Sequence, residues 1–391
     1  MKATAPAQRF IILGNLENRR VQFFQQALAR LDFPAATLIS WIDFLTGRVH
    51  LSEIVEPDAI LRIESPGENF KVEKRLLALG ADAGEVEGNS TLLSKSEVES
   101  LTLDPGLIRH SRQWYLGFRA ALQSIETQLA TCPPHQVMNA PADIAIMFDK
   151  RRCHTHLFEN DVPVPCALPP VHNFEQLLHA MREAGLPRVF IKPAHGSSAS
   201  GVVALATNRN QIVAYTSVEM VRNEGNLRLY NSIKIKRYDS IAEVAPLVDA
   251  LCHQRVHVEQ WLPKAGLNGQ ACDLRVVVVD GSASHVVVRC SHSPMTNLHL
   301  GNSRGNLETL RKRINPEHWR SALQSCERAL AAFPHSHYAG VDLLISNNFK
   351  HHAVLEMNAF GDLLPNILHD GHDTYEREII TFTRQAQPAF A

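Results

Sequence analysis

Residues 353–366 read AVLEMNAFGDLLPN, an apolar run that Glu356 and Asn358 interrupt on either side of Met357. Successive side chains of a β-strand point to opposite faces, so residues two apart share a face. A carboxylate and a carboxamide therefore project the same way from a strand that is otherwise apolar. On this stretch alone two explanations stay open: a solvated sheet face, or oxygen ligands for a hard cation such as Mg²⁺.

The strand before this stretch supplies a third oxygen donor. Residues 339–346, AGVDLLIS, and residues 353–358 flank Asn347-Asn348, a pattern that predicts a β-hairpin. A three-residue loop, Asn347 to Phe349, gives the cross-strand pairs Ser346–Lys350, Asp342–Val354 and Gly340–Glu356. Asp342, Glu356 and Asn358 then share a face, whereas a two-residue loop separates the two acids. Neighbouring carboxylates repel by roughly 3 kcal/mol at an effective dielectric of about 20, and a bound cation reverses that repulsion.

A candidate phosphate-binding loop follows Lys192 in VFIKPAHGSSASGV, residues 189–202. The lysine ends a predicted strand because the next residue is a proline, which has no N–H. Gly196, Ser197 and Ser198 begin a loop whose backbone N–H groups and hydroxyls can approach phosphate oxygens closely. It is not a P-loop, because two valines follow it where that motif requires Lys and Ser or Thr. A solvated lysine beside a surface loop is the alternative.

A second hairpin is predicted at residues 273–290, DLRVVVVDGSASHVVVRC, where β-branched runs flank Asp280-Gly281. A three-residue loop, Asp280 to Ser282, pairs Asp273 with Arg289 and Arg275 with Val287. Arginine side chains are well suited to bind phosphate or carboxylate groups, and Asp273 is suited either to bind ribose hydroxyls or to hold an arginine in place. The alternative is an ordinary Asp-Arg pair at a sheet edge.

Two rival patterns are weaker. GNSRG, residues 301–305, matches the elbow of serine hydrolases around Ser303, but the polar residues before it do not read as the required buried strand. The histidine-rich pieces at 154–156, 335–337, 351–352 and 369–372 add no fourth ligand at a zinc-like spacing, so we expect ordinary surface histidines.

Composition limits the classes of protein. The chain has 391 residues, 45% of them hydrophobic and 20% charged, with a formal net charge of -1. These values are typical of a globular protein of two or three domains and lack the basic excess of a nucleic-acid binder. The seven cysteines form no C-x-x-C pair, which favours reduced thiols. No signal peptide or membrane-spanning run is evident, so we expect a cytoplasmic protein.

Periodicity outlines the rest of the chain. Predicted strands at 9–14, 36–39 and 59–63 alternate with segments whose apolar residues recur at helical spacing, which predicts a small α/β domain with a parallel sheet. Its first turn lacks G-x-G-x-x-G, so a dinucleotide site is not supported. Helices are expected after Asp149, after the cap Asn173, after a capping box of Ser240 with Glu243, and after Asn315-Pro316. Strands are expected near 202–206 and 227–236.

Taken in order, these pieces resemble the ATP-grasp superfamily, and within it the branch of ribosomal-protein glutamate ligase, glutathione synthetase and D-alanine:D-alanine ligase. The resemblance covers about residues 139 to 360 through NAPADIAIMFDK, VFIKPAHGSSASGV, VEQWL, DLRVVVVDG, TNLHLGNSRG, GVDLLI and VLEMNAFG. It implies an α/β protein with an ATP-grasp fold, whose α+β subdomains at 139–260 and 261–391 enclose a nucleotide. A small parallel-sheet α/β domain at 1–138 precedes them.

The resemblance also implies a role for each matching residue. Lys150, Lys192 and the loop at Gly196, Ser197 and Ser198 would contact ATP phosphates. Adenine would meet Glu259, Gln260, Trp261 and Leu262, and Asp273 matches the acid on the ribose side. Arg275, Arg289 and Asn297 match positions near the transferring phosphate. Asp342, Glu356 and Asn358 match magnesium ligands, with Glu356 bridging two ions.

The implied activity is that of a ligase that uses ATP and Mg²⁺, with Mn²⁺ as a substitute ion, to join a carboxylate to an amine-type acceptor through an acyl phosphate. The alternatives are a kinase or a non-catalytic nucleotide-binding protein of the same fold and, remotely, a hydrolase built on Ser303. The expected partners are a small-molecule or peptide carboxylate and its acceptor, without nucleic acid or membrane. Contacts to the substrate are expected from the first domain, near Arg62, Glu64 and Ser65.

Overall fold

The protein is described here by a computed structural model, which covers residues 9–83, 92–196, 199–208, 211–223, 226–361, 364 and 367–385. Three β-sheets organise these residues. None of the helices within these ranges is long and apolar enough to cross a membrane.

The first sheet is parallel, as the alternation of strands and helices predicted. Its strands are β1 (Phe10–Gly14), β2 (Thr37–Ser40), β3 (Ile60–Ile63) and β4 (Gln136–Val137), in the order β2-β1-β3-β4. Its helices are α1 (Arg19–Arg30), α2 (Trp41–Leu45), α3 (Leu51–Ile54), α4 (Phe70–Gly80), α5 (Lys95–Ser100) and α6 (Ser111–Leu129). Helix α1 begins at the N-cap Asn18 and buries Val21, Phe24 and Leu28.

The central sheet is antiparallel, in the order β8-β7-β6-β5-β9. Its strands are β5 (Arg188–Pro193), β6 (Val203–Thr207), β7 (Ile212–Asn223), β8 (Asn226–Tyr238) and β9 (Val256–Gln260), and the helices of this region are α7 (Pro141–Phe148), α8 (Lys150–Glu159), α9 (Phe174–Glu183) and α10 (Ile241–Cys252). Sequence patterning missed β7, because Thr216 and Ser217 are buried there and the strand lacks a plain apolar alternation.

The third sheet is also antiparallel, in the order β13-β12-β11-β14-β15 with β10 beside β11. Its strands are β10 (Ala265–Leu267), β11 (Gln270–Val279), β12 (Ser282–Ser291), β13 (Ser303–Gly305), β14 (Tyr338–Ile345) and β15 (His352–Asn358). Helices α11 (Leu307–Arg311), α12 (Pro316–Ala331) and α13 (Thr374–Gln385) and a 3₁₀ turn at Leu298–Leu300 accompany them.

The predicted helix ends are confirmed for α9 and α12 but not for α10. Asn173 caps α9 by accepting from the Gln176 N–H, and Gly185 beyond its end has φ +64°, as the pattern predicted. Asn315 likewise caps α12, with a proline in its first turn. The predicted capping box of α10 is absent, because the Ser240 hydroxyl donates to the Glu243 carboxylate instead of accepting from a backbone N–H.

The hydrophobic cores do not follow the three sheets one to one. Buried side chains of the first sheet, of α7 and α8, and of the third sheet form one cluster, while the central sheet has its own. Helix α8 therefore packs against the third sheet through Cys153 and Leu157. Its first residue, Lys150, nevertheless donates its backbone N–H to the carbonyl of Ala194, the residue that follows β5 of the central sheet. This places the N-terminus of α8 at the junction of the two antiparallel sheets.

A buried ion cluster joins the first sheet to α13. Arg62 on β3 donates to Glu64 over 2.7 Å and to Glu378 on α13, and its guanidinium lies over the rings of Phe24 and Tyr338. Arg62 and Glu64 have no exposed side-chain surface. The expectation that Arg62 and Glu64 reach a substrate is therefore wrong in this structure, because each is enclosed and already paired.

The register of the hairpin β14–β15 differs from the prediction. Ser346 donates to the His351 carbonyl over 2.9 Å, so the loop has four residues rather than three. An even loop would put Asp342 and Glu356 on opposite faces, but the pairing shifts by one residue at Leu355. This β-bulge makes Asp342 pair directly with Glu356 and Gly340 with Asn358. The three oxygen donors share a face as predicted, although the predicted pairs Ser346–Lys350, Asp342–Val354 and Gly340–Glu356 are wrong.

The hairpin β11–β12 shows the same compensation. Asp280 and Gly281 have φ of 51° and 70°, which suits a two-residue turn instead of the predicted three-residue loop. A bulge at Ser284 then restores the register, so Asp273 pairs with Arg289 and Arg275 with Val287, as predicted.

Candidate active site

A row of charged side chains crosses three neighbouring strands of the third sheet. Arg275 on β11 pairs with Asp342 on β14, and Asp342 pairs with Glu356 on β15. Residues directly opposite in antiparallel strands share a face. One step along, the Asn358 amide nitrogen donates to the Gly340 carbonyl over 3.2 Å. The Asn358 amide oxygen thus lies on the same face as the two carboxylates.

Two arginines hold Asp342. The Arg275 Nε lies 2.5 Å from Asp342 Oδ1, and the Arg289 guanidinium nitrogens lie 3.2 Å from both carboxylate oxygens. Asp342 is buried, with 6% of its surface exposed. Guanidinium groups thus neutralise this carboxylate.

Lysine 150 neutralises Glu356. Its Nζ lies 2.9 Å from Glu356 Oε1 and donates to the Gly196 carbonyl over 2.7 Å. Burial opposes ionisation of Glu356, but Lys150 and Lys192 outweigh it and hold the pKa of this carboxyl below its usual value. Lys150 therefore connects the candidate metal ligand Glu356 to the start of the small-residue loop.

Lysine 192 belongs to a second buried group on the central sheet. It pairs across β5 and β9 with His257, and its Nζ lies 2.6 Å from Glu259 Oε1. The His257 Nε2 lies 3.1 Å from Glu259 Oε2. Burial opposes ionisation of Glu259, but Lys192 and His257 outweigh it and lower its pKa to about 2. Burial disfavours the Lys192 ammonium, whose pKa is nevertheless raised by Glu259 and Glu356.

Asp273 holds cations rather than offering a free carboxylate. Its oxygens lie 2.8 Å from Arg289 Nε and 2.8 Å from Lys264 Nζ, and they accept from the Thr296 hydroxyl. Asp273 thus holds Arg289, one of the two roles considered for it, and the contact with ribose stays a prediction. Sequence reasoning missed Lys264 and Thr296, because no motif marks them and the contacts span 9 and 23 residues.

The remaining candidate residues lie at the edges of the site and form hydrogen bonds through their backbone groups. The Gln260 N–H donates to Cys166 and the Trp261 N–H to Arg188, so the strand end before Leu262 is held on both sides. The Trp261 ring lies 5.5 Å from the Phe190 ring. Asn297 accepts through its carbonyl from the Asn302 amide over 3.0 Å. Ser197 and Ser198 lie outside the described residues.

The rival patterns do not form sites. Ser303 lies in the short edge strand β13, opposite Cys290, and not at a turn from a buried strand into a helix. Within the described part of the chain, no three His, Cys, Asp or Glu side chains form a metal-binding cluster. All seven cysteines are free.

The charges of the site suit magnesium and phosphate together. The carboxylates of Asp342 and Glu259, which are buried, and of Glu356, which is partly buried, each hold an Arg or Lys side chain. Two carboxylates and one carboxamide are hard oxygen donors of the kind that Mg²⁺ prefers, and the lysines and arginines can transfer to phosphate oxygens. The donor set thus fits Mg²⁺ bound together with a nucleoside triphosphate.

Comparisons with known proteins agree with this geometry. Residues 144–350, more than half of the chain, match the family described as YheC/D like ATP-grasp; the match ends before Glu356 and Asn358. No curated protein matches the chain significantly.

Solved structures of similar fold include three ligases and synthetases. The ATP-grasp ligase PsnB complexed with a minimal precursor has a TM-score of 0.52 and 14% identity, covering 98% of this chain and 100% of its own. D-cycloserine synthetase DcsG has a TM-score of 0.53 and 16% identity, covering 97% and 99%. The ADP complex of N5-carboxyaminoimidazole ribonucleotide synthetase has a TM-score of 0.53 and 12% identity, covering 92% of this chain and 72% of its own. These likenesses show the fold, and the family match confirms the predicted superfamily: the chain belongs to the YheC/D-like ATP-grasp family.

Proposed function

We propose that this protein is an ATP- and Mg²⁺-dependent ligase that joins a carboxylate to an amine or similar nucleophile through an acyl phosphate. The observation that carries the proposal is the row Arg275–Asp342–Glu356, in which each carboxylate holds a cation on one face of the third sheet. A PsnB structure, with a TM-score of 0.50 and 14% identity, contains Mg and ADP.

The proposal assigns the residues to two tasks. Lys150 and Lys192 bind phosphate oxygens, and Arg275 and Arg289 orient the transferring phosphoryl group. Asp342, Glu356 and Asn358 hold magnesium, which when bound neutralises the charge that builds up on the phosphates. Backbone groups from Glu259 to Leu262 contact adenine. Lys264 and Thr296 act through Asp273, which holds Arg289 in place.

Ligand binding exchanges ion partners in this scheme. In the structure Lys150 holds Glu356, and Arg275 holds Asp342. Removing only one partner of a buried pair leaves an unpaired charge, which costs about 3–5 kcal/mol. Metal and nucleotide together supply a new partner for each side, so we expect the two ligands to bind cooperatively. The substrate carboxylate then attacks the γ-phosphorus and releases ADP, and the acceptor amine attacks the acyl phosphate, releasing inorganic phosphate and a proton as the amide forms.

A thermal-shift titration with ATP and Mg²⁺ tests the nucleotide and metal assignments. We expect stabilisation of the wild type and a large loss of it in Glu356→Gln. Glu126→Gln, an exposed carboxylate on α6, is the matched control and should behave like the wild type. Equal stabilisation of wild type and Glu356→Gln would contradict the metal assignment.

Product analysis separates the ligase from its alternatives. With candidate carboxylates and amines, a ligase releases ADP and free phosphate only when both substrates are present. A kinase yields ADP and a stable phosphorylated product, and a nucleotide-binding protein without activity yields neither. Stable phosphorylated product without an acceptor would refute the ligase assignment.

A further inference from the structure

A buried histidine links the two chain segments that carry the phosphate-binding lysines of the proposed site. His195 comes three residues after Lys192, and its partner Asp149 immediately precedes Lys150. The His195 Nε2 lies 3.2 Å from Asp149 Oδ2, and neither side chain has exposed surface. Sequence analysis did not single out this residue, because its partner is 46 positions away.

Asp149 connects the histidine to the helix that carries Lys150. Its Oδ1 accepts from the backbone N–H groups of Arg151 and Arg152 over 3.1 and 3.2 Å, which caps the N-terminus of α8. Its Oδ2 faces His195 and, at 3.4 Å, the Arg255 guanidinium. One carboxylate therefore fixes the start of α8 relative to the chain that leaves β5.

Lys150 is itself bonded to the residues on either side of His195. Its backbone N–H donates to the Ala194 carbonyl over 2.9 Å, and its Nζ donates to the Gly196 carbonyl over 2.7 Å. A sideways shift of His195 would move both acceptors. The position of the Lys150 ammonium thus depends on the segment 194–196 as well as on α8.

The histidine ring is held from the first domain. Tyr115 on α6 stacks on it with ring centroids 4.0 Å apart and an interplanar angle of 15°, and the Tyr115 hydroxyl donates to the Ala145 carbonyl. Burial lowers the pKa of His195 to about 4, against the opposing effect of Asp149, so the ring is neutral near pH 7. A neutral ring that donates from Nε2 to Asp149 has no proton left for Nδ1.

We propose that His195 is a positioning residue: its hydrogen bond to Asp149 sets the distance between Lys150 and Lys192 and thereby the affinity for Mg-ATP. The stacked ring alone would account for packing, whereas the Nε2–Asp149 bond links the two lysine-bearing segments. This inference rests on the proposed function, because it assigns His195 a role through the phosphate-binding lysines.

Three substitutions separate the bond from the packing. His195→Gln keeps an amide nitrogen near the position of Nε2, His195→Phe keeps a ring to stack on Tyr115, and His195→Ala removes both. We expect His195→Gln to bind Mg-ATP within about threefold of the wild type, and His195→Phe and His195→Ala to bind about tenfold or more weakly. Isothermal titration calorimetry measures the Kd, and the melting temperature without ligand reports folding.

A double-mutant cycle with Lys150→Met tests whether His195 acts through Lys150. We expect the loss caused by His195→Phe to shrink to less than about threefold in the Lys150→Met background, since the lysine that it positions is gone. Additive losses would overturn the inference, as would a His195→Phe variant that melts earlier but binds Mg-ATP normally. A wild type that does not bind Mg-ATP would overturn the proposed function and this inference with it. A normal wild type with normal His195→Phe would overturn only the inference.

Discussion

Glu378, at the contact between the first sheet and α13, provides a test of the architecture through pH. Its carboxyl is 2% exposed and accepts from Arg62, which also holds Glu64. Burial raises the pKa of Glu378 to about 7, although Arg62 acts in the opposite direction. Near neutral pH this carboxyl therefore binds a proton in the folded protein that it has lost in the unfolded chain.

The sign and size of the effect follow from linkage. A folded pKa above the unfolded value of 4.5 gives a contribution to stability that is complete below pH 4.5 and is lost as pH rises through 7. The difference between the two pKa values corresponds to about 3 kcal/mol of unfolding free energy. Buried histidines such as His337, whose pKa burial lowers to about 4, change stability in the opposite direction over part of this range. The effect of Glu378 must therefore be read as a difference between variants.

Glu378→Gln removes the titration and keeps an oxygen that can accept from Arg62. Urea unfolding at constant ionic strength, followed by circular dichroism from pH 5 to pH 8, gives the two unfolding free energies. We expect Glu378→Gln to gain about 2.5 kcal/mol relative to the wild type between these limits, because the wild-type contribution is not yet complete at pH 5.

Glu376, on the same helix, is the matched control. Burial opposes its ionisation, but Arg30 outweighs burial and lowers its pKa, so its contribution is lost only at acidic pH. Glu376→Gln should therefore differ from the wild type by a constant amount between pH 5 and pH 8. A constant difference for Glu378→Gln as well would refute the buried, proton-binding contact between the first sheet and α13.

Two further predictions concern the site. Lys192→Met should abolish Mg-ATP binding and lower the unfolding free energy by about 3–5 kcal/mol, because Glu259 is left buried without its main partner. The double variant with Glu259→Gln should regain the stability but not the binding. Urea unfolding measures the stability and calorimetry the binding, and normal Mg-ATP binding by Lys192→Met would contradict the assignment. Mg²⁺ and ATP should bind cooperatively, so that each raises the affinity of the protein for the other by the same factor. Titrations of ATP with Mg²⁺ present and with Mg²⁺ removed by EDTA measure this factor. Equal ATP affinity in the two conditions would contradict the exchange of ion partners.

Sequence reasoning identified most of the elements that the structure contains. Local rules predicted the caps of α9 and α12, the parallel first sheet and the Asp273–Arg289 pair. The strand β7 was missed, because its buried positions include hydroxyl side chains that satisfy their polar groups only through tertiary contacts: the Thr216 hydroxyl donates to the Val202 carbonyl. The order of the pieces along the chain carried the family resemblance, which no single motif would have supported.

By itself, the sequence determined which side chains of one strand face together, because strand alternation is a local property: Glu356 and Asn358 share a face whatever the loop does. Whether Asp342 joins them depended on register across the hairpin, and there an even loop is compensated by the bulge at Leu355. The tertiary structure alone also decided which cations neutralise these acids, because Lys150 reaches Glu356 from a helix 206 residues away. Hydrogen bonds and ion pairs between distant segments depend on how sheets and helices pack, which no local pattern encodes.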